Sequence, residues 1–103
     1  MSLLVEFAMF PTDQGESVGD HVTRLAELID QSGLPYKLGP MGTTLEGEPG
    51  PVFELLQRCL QELQKDTHRV SGFVQLDWRA GREDGLREKV ASVTQRAGHK
   101  FST

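Results

Sequence analysis

The hydrophobic and polar positions of this chain follow two different periods, which divide it into strands and helices. In LLVEFAMF, near the N-terminus, every second residue from Leu3 is apolar and Glu6 lies on the other side, which predicts a strand with one apolar and one mixed face. The segment Arg69–Arg79 alternates in the same way. Two shorter strands are predicted at Tyr36–Gly39 and Thr43–Glu48, joined by a tight turn at residues 40–42.

Three other segments repeat their apolar residues at helical spacing. The first begins near Ser17, which with Asp20 resembles a capping box, and it ends at Gly33, after which Pro35 prevents its resumption. The second begins near Pro51 and has a continuous apolar stripe, formed by Val52, Leu55, Leu56, Cys59, Leu60 and Leu63. The third is shorter and has a narrower stripe, formed by Leu86, Val90, Val93 and Ala97.

The element order is therefore βαββαβ followed by a C-terminal helix. In one domain spanning residues 1–103 this order predicts an α+β, ferredoxin-like sandwich, in which a four-stranded antiparallel sheet carries two helices on one face. We name the other side the open face. It is expected to present Leu4, Glu6, Ala8, Phe10, Lys37, Thr44, Glu46, Phe73, Gln75 and Asp77.

The open face is too apolar in places to lie wholly in water. The last strand is long, lacks proline and would form an edge of the sheet, where a second copy of the chain could pair. We therefore expect self-association.

Composition narrows the function mainly by exclusion. With 37% hydrophobic and 25% charged residues the chain is typical of globular domains, and its formal charge of −4 argues against a protein that tracks nucleic-acid phosphates. No stretch approaches the roughly 20 apolar residues that span a bilayer, and the first ten residues lack the basic start of a signal peptide. We expect a cytoplasmic protein that contacts neither nucleic acid nor membrane.

The hairpin that contains LGPMGTTLEGEPG is the segment with candidate binding chemistry. Glu46 is expected to share the open face with other acidic groups, and Thr43 and Thr44 add hydroxyls that donate and accept hydrogen bonds. Phe10 or Tyr36 could stack on a ring or contact a cation. These groups suit a flat, aminated, cationic heterocycle. A purely structural interpretation stays open, since threonine favours strands and glycine favours turns.

Other residues give little indication of chemistry. Cys59 lies on the apolar stripe of the second helix, and the three histidines match no metal-ligand spacing. PTDQG, after the first strand, lacks the arginine that an acylphosphatase needs, and an acidic open face does not suit RNA. No nucleophile is accompanied by a base and an orienting partner. We therefore predict no catalytic residue, no metal and no cofactor.

The segment YKLGPMGTTLEGE, with EFAMFP before it and FVQLDWRAG after it, resembles the small thiamine-binding proteins, the YkoF-like group that bind thiamine or its hydroxymethylpyrimidine half. The resemblance extends from about Leu4 to Val93. It implies a ferredoxin-like fold, assembly into dimers or tetramers, and capture of a ligand without chemistry. The binding role would fall on Thr43, Thr44 and Glu46, with Phe10, Tyr36 and Met41 as apolar neighbours.

An alternative of a different class also stays open. In it the chain is a homo-oligomeric interaction module, whose acidic and partly apolar face contacts protein and binds no small molecule.

Overall fold

The elements of the structure, a computed structural model that describes residues 2–15 and 18–103, follow the order predicted from the sequence. They are β1 (Leu3–Pro11), α1 (Gly19–Gln31), β2 (Tyr36–Leu38), β3 (Thr43–Gly47), α2 (Pro49–Gln64), β4 (Val70–Trp78) and α3 (Gly85–Ala97). The ferredoxin-like α+β fold with an additional C-terminal helix is thereby confirmed.

Two helix starts differ in detail from the prediction. Ser17, the predicted cap of α1, lies outside the described residues, and α1 itself begins at Gly19. Helix α2 begins at Pro49, two residues before the predicted proline. Pro49 and Pro51 both lie in its first turn, where a missing N–H removes no helical hydrogen bond.

The strands form one antiparallel sheet in the order β2-β3-β1-β4. Helices α1 and α2 cover one of its faces, and the core lies between them and the two central strands. The side chains that form this core are Leu3, Val5, Phe7, Leu25, Ile29, Leu45, Val52, Leu55, Leu56, Cys59 and Leu63. The predicted core face of β1 and most of the α2 stripe thus lie inside, whereas Leu60 of that stripe is 37% exposed.

Helix α3 lies against the open face, where it packs on β3. The sequence predicts that a second copy of the chain covers the open face. This prediction is incomplete, because α3 of the same chain covers part of that face. Of the short apolar stripe of α3, Leu86 is partly buried, whereas Val90 and Val93 are 41% and 55% exposed.

Strand β4 is covered much less than its sequence predicts. Val74, Leu76 and Trp78 lie on the helix-facing side, opposite core residues of β1, yet they are 47%, 55% and 50% exposed. Of this strand's apolar residues, Val70 packs against the core. Trp78, predicted on the core face, is consequently a half-exposed residue at the edge of the sheet.

Gly72 lets β1 and β4 approach closely and gives the first testable prediction. A Cβ atom at this position would lie 2.0 Å from the carbonyl oxygen of Ala8, so Gly72→Ala must push the two strands apart. We expect the variant to lower the free energy of unfolding by about 2 kcal/mol or more, as measured by urea unfolding.

Gly50→Ala is the matched control, since a Cβ at Gly50 would meet no atom within 4 Å. Its position in the first turn of α2 should make the alanine neutral or slightly stabilising. Equal stability of the two variants would contradict the steric account.

Candidate functional site

The carboxylate of Glu46 binds the N-terminus of α3 and attaches this helix to the sheet. Its Oε2 accepts hydrogen bonds from the Ser2 hydroxyl at 2.6 Å and from the Gly85 N–H at 2.8 Å, and its Oε1 accepts one from the Leu86 N–H at 3.1 Å. The first N–H groups of a helix have no partner within the helix, and negative charge is favourable there. Glu46, on β3, thus supplies the hydrogen-bond acceptors that the first N–H groups of α3 lack.

Glu46 is buried, with 3% of its surface exposed, but its surroundings favour the charged form. Burial is the largest influence and would raise the pKa of Glu46 by itself. Hydrogen bonds from Ser2, Leu86 and Gly85, together with the positive charge of Arg82, outweigh it and lower the pKa below its usual value. The carboxylate is therefore ionised at neutral pH.

A cleft of about 900 Å³ lies between α3, the segment that follows it, the β2–β3 turn and the open face. This volume falls within the roughly 300–1,000 Å³ that small-molecule sites occupy. Seven apolar side chains contribute to its lining: Leu4, Leu38, Pro40, Leu86, Val90, Ala91 and Phe101. Its shape and apolar lining suit a ring system.

The floor of the cleft contains a row of polar side chains that crosses neighbouring strands. Lys37 is paired with Thr44, and Thr44 with Glu6, on three adjacent strands. Two strand spacings separate the Cα atoms of Lys37 and Glu6 by about 10 Å. Within the described chain neither charged side chain has a hydrogen bond or an ion pair, and both are exposed to the cleft. Glu6 is thus an available carboxylate, whereas Glu46 is occupied.

Of the residues predicted to bind, Thr44 and Glu46 lie together on the open face. Thr44 contributes to the lining of the cleft, and Glu46 lies behind its helical wall. Thr43 and Tyr36 belong to the opposite face. Thr43 is paired with Phe7 and buried, and the Tyr36 hydroxyl donates a hydrogen bond to Asp30 at 2.7 Å.

The two other predicted residues lie at the surface, outside the residues that line the cleft. Met41 is 84% exposed on the β2–β3 turn, and Phe10 is 39% exposed near the end of β1, beside Ser71. The structure therefore places Thr44 in the cleft, Glu46 at its border and the other four predicted residues elsewhere.

Of the acidic groups predicted on the open face, Glu6 alone lines the cleft in the described part of the chain. Glu46 is engaged by α3, and Asp77 accepts hydrogen bonds from Arg82 and Lys89. The sequence predicts Glu6 and Lys37 on the open face, but no motif marks them as site residues. The apolar stripe of α3, which needs a partner surface, is the signal that could have located the cleft.

Other reactive groups do not form a second site in the described part of the chain. Burial raises the pKa of the Cys59 thiol to about 11, so this cysteine is inert packing. In residues 2–15 and 18–103 no group of three or more His, Cys, Asp or Glu residues is placed to hold a metal ion. No helix within these ranges has the length and apolarity to cross a bilayer.

A family model described as "Thiamine-binding protein" matches residues 5–94 of this chain. Among curated relatives, the UPF0045 protein Mb1933 of Mycobacterium bovis is 37% identical over 94 residues, which cover 90% of this chain and 92% of the relative. The UPF0045 protein sll0230 of a Synechocystis species is 27% identical over 94 residues, covering 90% of this chain and 78% of the relative.

Solved structures agree on the fold. The hypothetical protein MJ1052 of Methanocaldococcus jannaschii superimposes with a TM-score of 0.84 at 22% identity, covering 91% of this chain and 97% of the other. Protein TM0486 of Thermotoga maritima, named as a candidate thiamine biosynthesis or salvage protein, gives a TM-score of 0.80 at 24% identity, covering 90% and 99%.

The contacts of Glu46 predict an acid-sensitive attachment of α3. Glu46→Gln replaces one accepting oxygen by a donor and removes the charge, so it should lower the free energy of unfolding at neutral pH by about 2 kcal/mol. The folded-state pKa of Glu46 is lowered, so its contribution is present above the unfolded-state pKa and is lost as pH falls through the folded-state pKa.

Urea unfolding of both proteins from about pH 7 down to about pH 3 checks this sign. The difference in the free energy of unfolding between wild type and Glu46→Gln should be largest at neutral pH and should become smaller as the pH falls. Glu54→Gln, an exposed change on α2, serves as the control for loss of one negative charge. A difference that stays constant with pH would contradict the charged cap.

Proposed function

This chain belongs to the thiamine-binding protein family, and we propose that it binds thiamine, or the hydroxymethylpyrimidine half of thiamine, in the cleft between α3 and the open face. It would act as a cytoplasmic carrier, buffer or sensor that does not transform its ligand. The observation that carries this proposal is the available Glu6 carboxylate on the floor of a cleft with apolar walls.

The chemistry of thiamine matches these groups. Its aminopyrimidine ring carries an amino group that donates hydrogen bonds, and Glu6 can accept one, which contributes about 1.5–3 kcal/mol. The Thr44 hydroxyl beside Glu6 can donate to a ring nitrogen or accept from the amino group. Phe101 offers an aromatic face to the positively charged thiazolium ring, a contact of roughly 0.5–2 kcal/mol.

In this proposal Glu46 acts on the ligand through α3 rather than by contact. All three of its hydrogen bonds go to the protein, and they fix the wall from which Leu86 and Val90 face the cleft. The lining contains no histidine and no cysteine, which favours capture over catalysis. The name of the Thermotoga protein, which shares the fold, is consistent with the same ligand class.

We further propose that the chain forms a homo-oligomer through β4. In the described chain this strand pairs with β1 alone, so one of its edges is open over nine residues. Val74, Leu76 and Trp78 form an exposed apolar row beside that edge. An antiparallel β4–β4 pair about a two-fold axis would bring two such rows together and remove the open edge.

The ligand proposal predicts that binding depends on Glu6. Isothermal titration calorimetry of wild type with thiamine, and separately with hydroxymethylpyrimidine, should give a dissociation constant of about 1 µM or tighter for at least one of them. Glu6→Gln should weaken that binding at least tenfold, while its urea unfolding stays close to wild type, because Glu6 has no structural partner in the described chain.

Two variants make this experiment decisive. Glu54→Gln removes a negative charge far from the cleft and should bind like wild type. Glu46→Gln should lower the free energy of unfolding, and it should weaken binding only as far as it displaces α3. Full binding by Glu6→Gln together with complete loss in a stably folded Glu46→Gln would return the contact to Glu46 and overturn the assignment to Glu6.

The oligomer proposal predicts that one charge in the β4 row disrupts assembly. Wild type should have the mass of a dimer or tetramer in light scattering after size exclusion, and Leu76→Lys should shift it to the monomer mass. Phe53→Lys, at an exposed apolar residue of α2, is the control and should leave the mass unchanged. A monomeric wild type would refute the proposal.

A further inference from the structure

The cleft concentrates positive charge in a protein that is acidic as a whole. The chain has a formal charge of −4, yet the side chains that line the cleft include four cations and one carboxylate, that of Glu6. The cations are Lys37, Arg87, Lys89 and Lys100. A cleft made only for a positively charged ligand would gain nothing from this excess.

Two of these cations have a carboxylate partner within the protein. The Lys89 ammonium donates a hydrogen bond to Asp77, and the guanidinium of Arg87 lies 3.9 Å from the Asp84 carboxylate. The ammonium groups of Lys37 and Lys100 have no hydrogen bond or ion pair within the described residues. Two positive charges therefore remain for a ligand.

These two lysines come from different parts of the cleft. Lys37 projects from β2 on the floor, and Lys100 follows the end of α3, in the segment that contributes Phe101 to the lining. Lysine ammonium groups bind phosphate as point charges, with no need for a planar arrangement. A phosphate between them would join the segment after α3 to the sheet.

We infer that the cleft binds the phosphorylated form of its ligand, a phosphomonoester of thiamine or of hydroxymethylpyrimidine, with Lys37 and Lys100 contacting the phosphate and Glu6 contacting the aminopyrimidine. This inference rests on the function proposed above and adds the anionic end of the ligand. It agrees with the polar row, in which the negative Glu6 and the positive Lys37 are about 10 Å apart.

A structural explanation for Lys37 exists, because lysine on an edge strand discourages the pairing of strands between molecules. It does not extend to Lys100, which belongs to no strand and lines the same cleft. A joint effect of the two lysines on phosphate recognition separates these interpretations.

The test compares phosphorylated and unphosphorylated ligands on the same protein. Calorimetry of wild type with thiamine, thiamine monophosphate and inorganic phosphate should show the monophosphate binding about tenfold tighter than thiamine, the size expected for two partly exposed ion pairs. Hydroxymethylpyrimidine and its phosphate form a second pair, measured in the same way.

The double variant Lys37→Gln/Lys100→Gln should reduce the ratio of the two affinities to about one. Lys65→Gln is the matched control, because Lys65 lies beyond α2 and pairs with Glu62 at the surface. It should keep the wild-type ratio. The preference should also weaken as salt is raised, since exposed charges are screened.

Each other outcome overturns a distinct statement. Equal binding of thiamine and its monophosphate refutes the phosphate inference and leaves the proposed function in place. Inorganic phosphate binding as tightly as the ester also refutes it, because the ring would then add nothing. If the double variant keeps the wild-type ratio of the two affinities, the two lysines do not contact the phosphate. If thiamine, hydroxymethylpyrimidine and their phosphates all fail to bind, the proposed function itself is overturned.

Discussion

The attachment of α3 to the sheet depends on one buried carboxylate. Glu46 accepts three hydrogen bonds, two of them from the first N–H groups of α3, and these contacts hold the helix over a face that would otherwise lie in water. The apolar stripe of α3 is narrow, and without this cap the first N–H groups of the helix would also lack hydrogen-bond acceptors. The cleft exists because α3 is held at this end, so a residue whose contacts are all with the protein determines the shape of the cleft.

The charged groups of the open face form two sets. Some bind other groups of the protein, and the others have no such partner in the described chain. Glu46 is used by the helix start, and Asp77 is used by Arg82 and Lys89. Glu6 and Lys37, at two ends of one cross-strand row, remain available. A carboxylate that is buried and fully bonded stabilises structure, whereas one that is exposed beside an apolar wall can discriminate among ligands.

The sequence predicts the fold well because the periodicity of each element is a local property. Alternation in LLVEFAMF and the stripe of α2 define which side chains enter the core, and antiparallel pairing then places Glu6, Thr44 and Lys37 on one face. The site is harder to predict, since its key contact joins Glu46 to residues 39 and 40 positions away. No local pattern marks Glu46 as a helix cap rather than a ligand contact, or Val74 as a residue that α1 and α2 leave uncovered.

The contact of Ser2 with Arg82, in the loop before α3, has a consequence for the order of folding. Ser2 donates its backbone N–H to the carbonyl of Arg82, eighty positions later, and its hydroxyl completes the hydrogen bonds of Glu46. Contacts of such separation form late, after the helices and local hairpins. During synthesis on the ribosome the nascent chain therefore cannot assemble the cleft until α3 has emerged, so the cleft forms only when the fold is nearly complete.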